Sequence, residues 1–357
     1  MISGEKHNTH LSKIVGYSFP FFLTILFLYF AFKNIDLKQT FELIFNSSIP
    51  AILFYIVIFF LSHLARAARW KYMLTPVKKN CSITHLFGAV MVGYGVSCLI
   101  PRLGELYRGL FLGKWENISR STVIGTIVVE RIIDIALFGI AALISVSLYS
   151  GNMYKEIVWL KVSLLIGLIF IISVAIFVVI LIKFQSKFSS ALVRFVGKLN
   201  QSYADKLKKM FDTLIDGLTS IKGTRNILAI LFWSVVILLL YAFHAQVGFY
   251  ILGMQSSGKV NFEMAWIVMT ISSFGSIIPT PGGLGSYHII SIFVLTKLFY
   301  FDYESSAAYS IITHFISYAT FVLSTILIVY FVNRNRKKKG LTKETFFSVF
   351  KINSDDK

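Results

Sequence analysis

The sequence predicts an all-α polytopic membrane protein of about six full spans plus two oppositely oriented re-entrant hairpins arranged as an inverted repeat. Three observations lead there. Of 357 residues, 56% are hydrophobic and only 15% charged, with 34 phenylalanines, a balance foreign to soluble domains of this length. Runs such as 15–32, 52–64 and 162–182 reach or approach the roughly 20 apolar residues that cross a hydrocarbon core. Basic residues collect between the apolar runs, so the net charge of +18 reads as membrane topology, and no nucleic-acid partner is expected.

Taking the elements in order, the run 14–32 is a first span rather than a cleaved leader, because it lacks a small-residue cleavage pattern and leads into Lys33, Asn34, Asp36 and Lys38. Cations gather at Arg66, Arg69, Lys71, Lys78 and Lys79, again over 183–225, and again from Arg334 to Lys339, which the positive-inside rule makes cytoplasmic. Under that constraint 14–32 runs out, 51–68 in, 121–148 out, 159–183 in, 227–252 out and 307–332 in. The expected setting is the cell (inner) membrane with both termini cytoplasmic. Cys81 and Cys98 are too few for a disulfide framework.

The segments 83–112 and 264–299 are apolar but interrupted, at Pro101 and Gly104 in one and at Pro279, Pro281, Gly282, Gly283 and Gly285 in the other. Each has both flanks on one side, so each is expected to be a re-entrant hairpin, the first entering from the cytoplasm and the second from outside. Two full spans per segment, giving eight or more spans, is the alternative. The first repeat is then 1–150 and the second 151–335, with an amphipathic cytoplasmic connector at 184–225 and a basic tail at 336–357. The shared Ile-Pro-x-x-Gly at Ile100–Gly104 and Ile278–Gly282 supports the inverted repeat, an architecture that secondary transporters use to place a site at the midplane.

An ionisable side chain at the membrane centre costs about 2.5–3.5 kcal/mol on insertion scales, so each one needs a partner, water or a function. Arg102, Glu105 and Arg108 lie three apart on the helix leaving the first bend, a net-positive set suited to phosphate. The bland alternative is a shallow bend whose arginines snorkel. Glu130, Arg131 and Asp134 sit near the middle of the next span, either as a structural ion cluster or in contact with substrate or protons. The glycines before Ser286 present amides at a helix N-terminus, a ready anion site, although a helix break in lipid needs Gly and Pro in any case. His244, His288 and His314 show no metal-ligand spacing. Arg66, Arg69 and Trp70 read first as an interfacial anchor, with headgroup contact second.

Taken in order, Arg66-x-x-Arg69-Trp70, Pro101-Arg102-x-Gly104-Glu105-x-x-Arg108, Glu130-Arg131-x-x-Asp134 and Pro279-x-Pro281-Gly282-Gly283-x-Gly285 resemble the transmembrane region of lysylphosphatidylglycerol synthases and their stand-alone, flippase-like relatives. In the two-part synthases, the resemblance implies, this region translocates aminoacylated phospholipid while a separate cytoplasmic domain performs aminoacyl transfer. This chain is similar to the translocation half, so aminoacyl transfer is not expected. Archaeal relatives are associated with lipid-linked sugar transfer. Two departures stand out: His288 stands where the resemblance leads one to expect a glutamate shortly after the second glycine bend, and Ser97-Cys98 precede Pro101 where the resemblance implies asparagine.

The expected substrate contacts are therefore Arg69, Arg102, Glu105, Arg108, Glu130, Arg131, Asp134, Gly282, Gly283, Gly285 and His288. The expected substrate is a phospholipid or polyprenyl-linked anionic molecule. No catalytic residue, metal or other cofactor is expected. Anionic headgroups are the expected partners of the basic segments, with a second copy of the chain or a lipid-modifying enzyme as further partners. The competing functions are an enzyme or accessory acting on lipid-linked sugars, with Glu105, Glu130 or Asp134 as base, and a small-solute or ion transporter.

Overall fold

The computed structural model describes residues 19–338 except 102, 152, 198–200, 202, 206–207, 209–210 and 213–223, and beyond them 340 and 343. The expectations for Arg102, most of 198–223 and most of the tail fall outside these residues. Among the described residues the chain is helical without strands.

Helix α1 (Phe19–Phe32) turns through 91° into α2 (Leu37–Phe45). Asp36 fixes the corner by accepting from the amides of Lys38 and Gln39 at 2.9 and 3.2 Å, an N-cap. Helix α3 (Ile49–Leu74) begins at the capping Ser48 with Pro50 in its first turn. The Ser48 amide donates to the carbonyl of Ile251 at 2.8 Å. That bond ties the start of α3 to the end of α10 (Thr224–Ile251), and Arg69 reaching Ser234 ties them again farther along. The two helices therefore lie antiparallel and form the spine of the molecule.

Two helical hairpins insert beside this spine from opposite ends. In the first, α4 (Ile83–Leu99) and α5 (Leu103–Glu116) fold back on each other around Pro101. Glycine makes this possible: a Cβ at Gly93 would lie 2.9 Å from the Arg108 Cβ, and one at Gly104 would overlap the Gly93 carbonyl oxygen. The base of this hairpin packs Cys81, Leu86 and Leu112 on Leu74. In the second, α11 (Phe262–Ser273) and α12 (Ser286–Leu298) are joined through Pro279 and the 3-10 turn Pro281–Gly283, with Met264, Val268 and Ile271 facing Leu298, Val294 and Leu295. Its base packs on Phe249 and Met254, at the opposite end of the spine.

The two bends touch. A Cβ on Gly282 would stand 3.4 Å from the Cys98 Cα and 2.8 Å from the Tyr318 ring, and Tyr318 Oη donates to the Cys98 carbonyl at 2.6 Å. Tyr318 lies near the middle of α13 (Tyr303–Lys338). Helices α6 (Arg120–Leu148), the short α7 (Met153–Glu156) and α8 (Val158–Lys183) complete the described bundle, with α9 (Gln185–Gly197) leading from it into the connector.

Three helices, α3, α10 and α13, are long and apolar enough to cross a membrane among the described residues, and the bent pair α1 and α2 makes a fourth if it is one span. The segments expected as spans at 121–148 and 159–183 fall on the helices α6 and α8, of 29 and 26 residues, which are not among these. Outward faces carry bare apolar side chains, including Leu53, Val57 and Leu61 on α3, Leu228, Phe232 and Val235 on α10, and Ile166, Ile169 and Ile176 on α8. Patches of that extent are at home in lipid. Lys71, Lys78 and Lys79, the start of α10 at Arg225, and the Arg334–Lys338 stretch all gather at the base of the first hairpin, so the basic clusters share one end of the bundle.

Candidate functional site

Between the spine, the first hairpin and α6 lies a ladder of buried charges. On α3, Arg66, Arg69 and Trp70 are spaced three and four apart and face α6, where Glu130 and Asp134 are four apart. Arg66 Nη1 donates to Glu130 Oε1 at 2.8 Å and to Asp134 Oδ2 at 3.0 Å. Arg69 Nη2 donates to Glu130 Oε1 at 3.1 Å and to Asp134 Oδ1 at 2.5 Å, while its Nη1 reaches Ser234 Oγ on α10 at 3.3 Å. Arg108, brought in by α5, completes the ladder on Glu130 Oε2.

The sequence of α5 explains how Arg108 arrives. Gly109 lets α5 lie directly on α6, since a Cβ there would meet Ile124 Cγ1 at 2.9 Å. Trp70 donates its indole N–H to Thr126 Oγ1 at 3.0 Å and offers its ring face to the Arg108 guanidinium, 4.7 Å from the centroid. Arg66 lies 5.7 Å from the Tyr94 ring centroid. Glu130 is 0% and Arg69 1% exposed, so the anchoring role expected for Arg66 and Arg69 is corrected: both turn inward, because two carboxylates inside the bundle attract them more than the interface does. Arg108 is likewise a paired core cation and not an open one.

One flank of the ladder is open. Arg131 bonds Asp134 Oδ2 at 3.0 Å and Glu105 Oε1 at 3.3 Å, and the side chains of Arg131 and Glu105 are 35% and 36% exposed. Four guanidiniums and three carboxylates leave this cluster one positive charge in excess. The Nε atoms of all four arginines and Oε2 of Glu105 are buried without a hydrogen-bond partner.

The second bend is built differently. Gly282, Gly283 and Gly285 have φ of 59°, 79° and 82°, the left-handed region that side chains disfavour. The amides of Gly283 and Leu284 donate to the carbonyls of Thr280 and Pro281, and the Gly285 amide to His288 Nδ1 at 3.3 Å. Three of the bend's amides, those of Gly283, Leu284 and Gly285, are thus engaged within it. Thr280 and Ser286 hydroxyls pair at 2.9 Å. A Cβ on Gly285 would meet Thr24 and Phe27 of α1, so this bend is also where α1 docks.

Two histidines pair inside the bundle and two more join an aromatic cluster, which their scatter in sequence hid. His288 and His314 have ring centroids 4.8 Å apart, and Tyr55 stacks on His244 at 3.6 Å while Phe59 touches both His244 and His63. Among the described residues no three His, Cys, Asp or Glu side chains gather in a way that would hold a metal ion.

The four motif segments thus meet as an ion-pair ladder and two touching bends. The family model for the lysylphosphatidylglycerol synthase TM region matches residues 17–324. The chain belongs to this family. A UPF0104 membrane protein of Methanocaldococcus jannaschii is 22% identical over 331 residues, covering 88% of this chain and 94% of the relative. A second UPF0104 membrane protein of the same organism is 31% identical over 258 residues, covering 68% and 97%. No solved structure matches the chain. Every described residue of the first three motifs meets at the ladder or at the bend beside it, and the fourth motif forms the second bend.

Proposed function

We propose that this chain is a lipid translocator of the flippase-like type, which carries a phospholipid or lipid-linked anionic headgroup across the cell membrane while the acyl chains remain in lipid. The two hairpins are re-entrant, the second half of the chain inverts the first, and the basic end with both termini faces the cytoplasm. The observation that carries this reading is the buried ladder with its open flank at Glu105 and Arg131. A phosphate approaching that flank exchanges with a carboxylate for the same guanidiniums. The charge count of the site then stays nearly balanced as the headgroup passes, which avoids the cost of an unpaired charge in the membrane. Membership of a family whose name refers to a lipid synthase supports a lipid substrate.

An enzyme using Glu105 or Asp134 as a base finds less support, because both carboxylates are already held by arginines. The test is headgroup-resolved scrambling: purified protein in liposomes, fluorescent phosphatidylglycerol and phosphatidylcholine in separate preparations, and bleaching of the outer leaflet. Faster loss of the anionic lipid than of the zwitterionic one is the expected result. Identical slow leakage in protein-containing and empty liposomes counts against translocation.

A further inference from the structure

A groove lies between α5 and α13 at the basic end of the bundle, and it shares no lining residue with the ion-pair ladder. Its volume is about 730 Å³, within the range of roughly 300–1,000 Å³ typical of small-molecule sites. Phe111 forms one wall, and the face of α13 that carries Ile326, Tyr330, Arg334 and Lys337 forms the other. These four α13 residues are spaced four, four and three apart, so they make one stripe that changes from apolar to basic over about 17 Å of helix. Lys343 closes the basic rim.

The chemistry of the stripe specifies the occupant. Ile326 and Tyr330 are more than half exposed beside the apolar groove, a surface for an acyl chain, with a tyrosine at the level where polar heads begin. Neither Arg334 nor Lys337 has a carboxylate partner among the described residues, so both cations are available to a phosphate. The apolar depth argues against a free anion, and the cationic rim argues against a zwitterionic or neutral lipid. We infer that this groove holds one anionic phospholipid, with an acyl chain along Phe111 and Tyr330 and the phosphate between Arg334, Lys337 and Lys343. The site stands whether or not the ladder translocates lipid.

The test uses the full chain in phosphatidylcholine nanodiscs doped with phosphatidylglycerol that carries a photoreactive acyl chain, with crosslinked peptides mapped by mass spectrometry. Labelling is expected on the peptides containing Phe111 and Tyr330, well above that given by the same probe with a choline headgroup. The variant Arg334→Gln/Lys337→Gln/Lys343→Gln should lose that preference by on the order of a hundredfold at low salt, from about fivefold per cation. A second variant, Ile326→Trp, fills the groove and keeps the charges, and should lose labelling as well. Equal labelling by both headgroups, unchanged labelling in either variant, or displacement of the probe by millimolar inorganic phosphate would overturn the inference. Because the readout is binding, failure of scrambling leaves it intact.

Discussion

Glu130 accepts from four arginines, three on two neighbouring helices and Arg131 on its own, and lies wholly out of water. Glu130→Gln takes the close carboxylate from Arg108 and leaves four guanidiniums facing two carboxylates, so it is expected to cost about 3–5 kcal/mol of stability, read as a large fall in thermal midpoint in detergent. Pairing it with Arg108→Gln should restore part of the loss, a coupling of about 1–3 kcal/mol in a double-mutant cycle, and strict additivity would contradict the contact. At the base of the first hairpin, Glu116 accepts from Lys78 Nζ at 2.7 Å and from the Ser82 amide at 3.0 Å, with His85 Nδ1 at 2.6 Å. Burial pushes this carboxyl up, but those hydrogen bonds and the Lys78 charge outweigh it and hold the group below its ordinary value of 4.5. A depressed carboxylate contributes stability that is complete above the unfolded value and is lost as pH falls through the folded one. The thermal midpoint should therefore drop on acidification below about pH 4.5, and Glu116→Gln should flatten that acid limb while lowering the neutral midpoint by about 2–4 °C.

At the level of elements, the bends decide whether the hairpins can meet. Gly282 combines a φ of 59° with close contact to Tyr318, whereas Gly258, at φ 72°, has nothing near its missing Cβ. Gly258→Ala should carry only the backbone penalty of about 1–2 kcal/mol, and Gly282→Ala should cost clearly more, in the same thermal assay. Equal costs would mean that the two bends do not pack as described. Both bends were legible in the sequence, because proline and glycine interrupting an apolar run leave few other structures in lipid. What was not legible is how the bends are lined. The glycines of the second suggest exposed amides, yet those of Gly283 and Leu284 are bonded within the turn and His288 takes the Gly285 amide. Nothing in a string of glycines distinguishes an open nest from a closed turn.

For the whole molecule, long-range pairing is what the sequence hid. Glu130, Arg131 and Asp134 stood out as charges in an apolar run, but Arg66 and Arg69 looked like the end of a span, because their carboxylate partners lie 61 to 68 residues away. The same distance effect concealed the histidine contacts. The grouping of basic clusters at one end matches the charge pattern from which topology was read, and it makes orientation testable. Cysteine at Lys79 should react with a membrane-impermeant maleimide only from the cytoplasmic side, and cysteine at Ser256 only from outside, both sites being exposed while the native Cys81 and Cys98 are buried. Reaction of both from one side would overturn the assigned topology.

The central claim is that the ladder handles a lipid headgroup through its open flank, and Arg131 tests it most directly because it is half-exposed where Arg66, Arg69 and Arg108 are core. Scrambling of fluorescent phosphatidylglycerol should be measured in liposomes containing wild-type protein or Arg131→Gln, together with the thermal midpoint of each. Transport falling by at least tenfold, about 1.4 kcal/mol, with the midpoint nearly unchanged is the predicted result. Equal transport by a stable, correctly inserted Arg131→Gln protein would contradict the account.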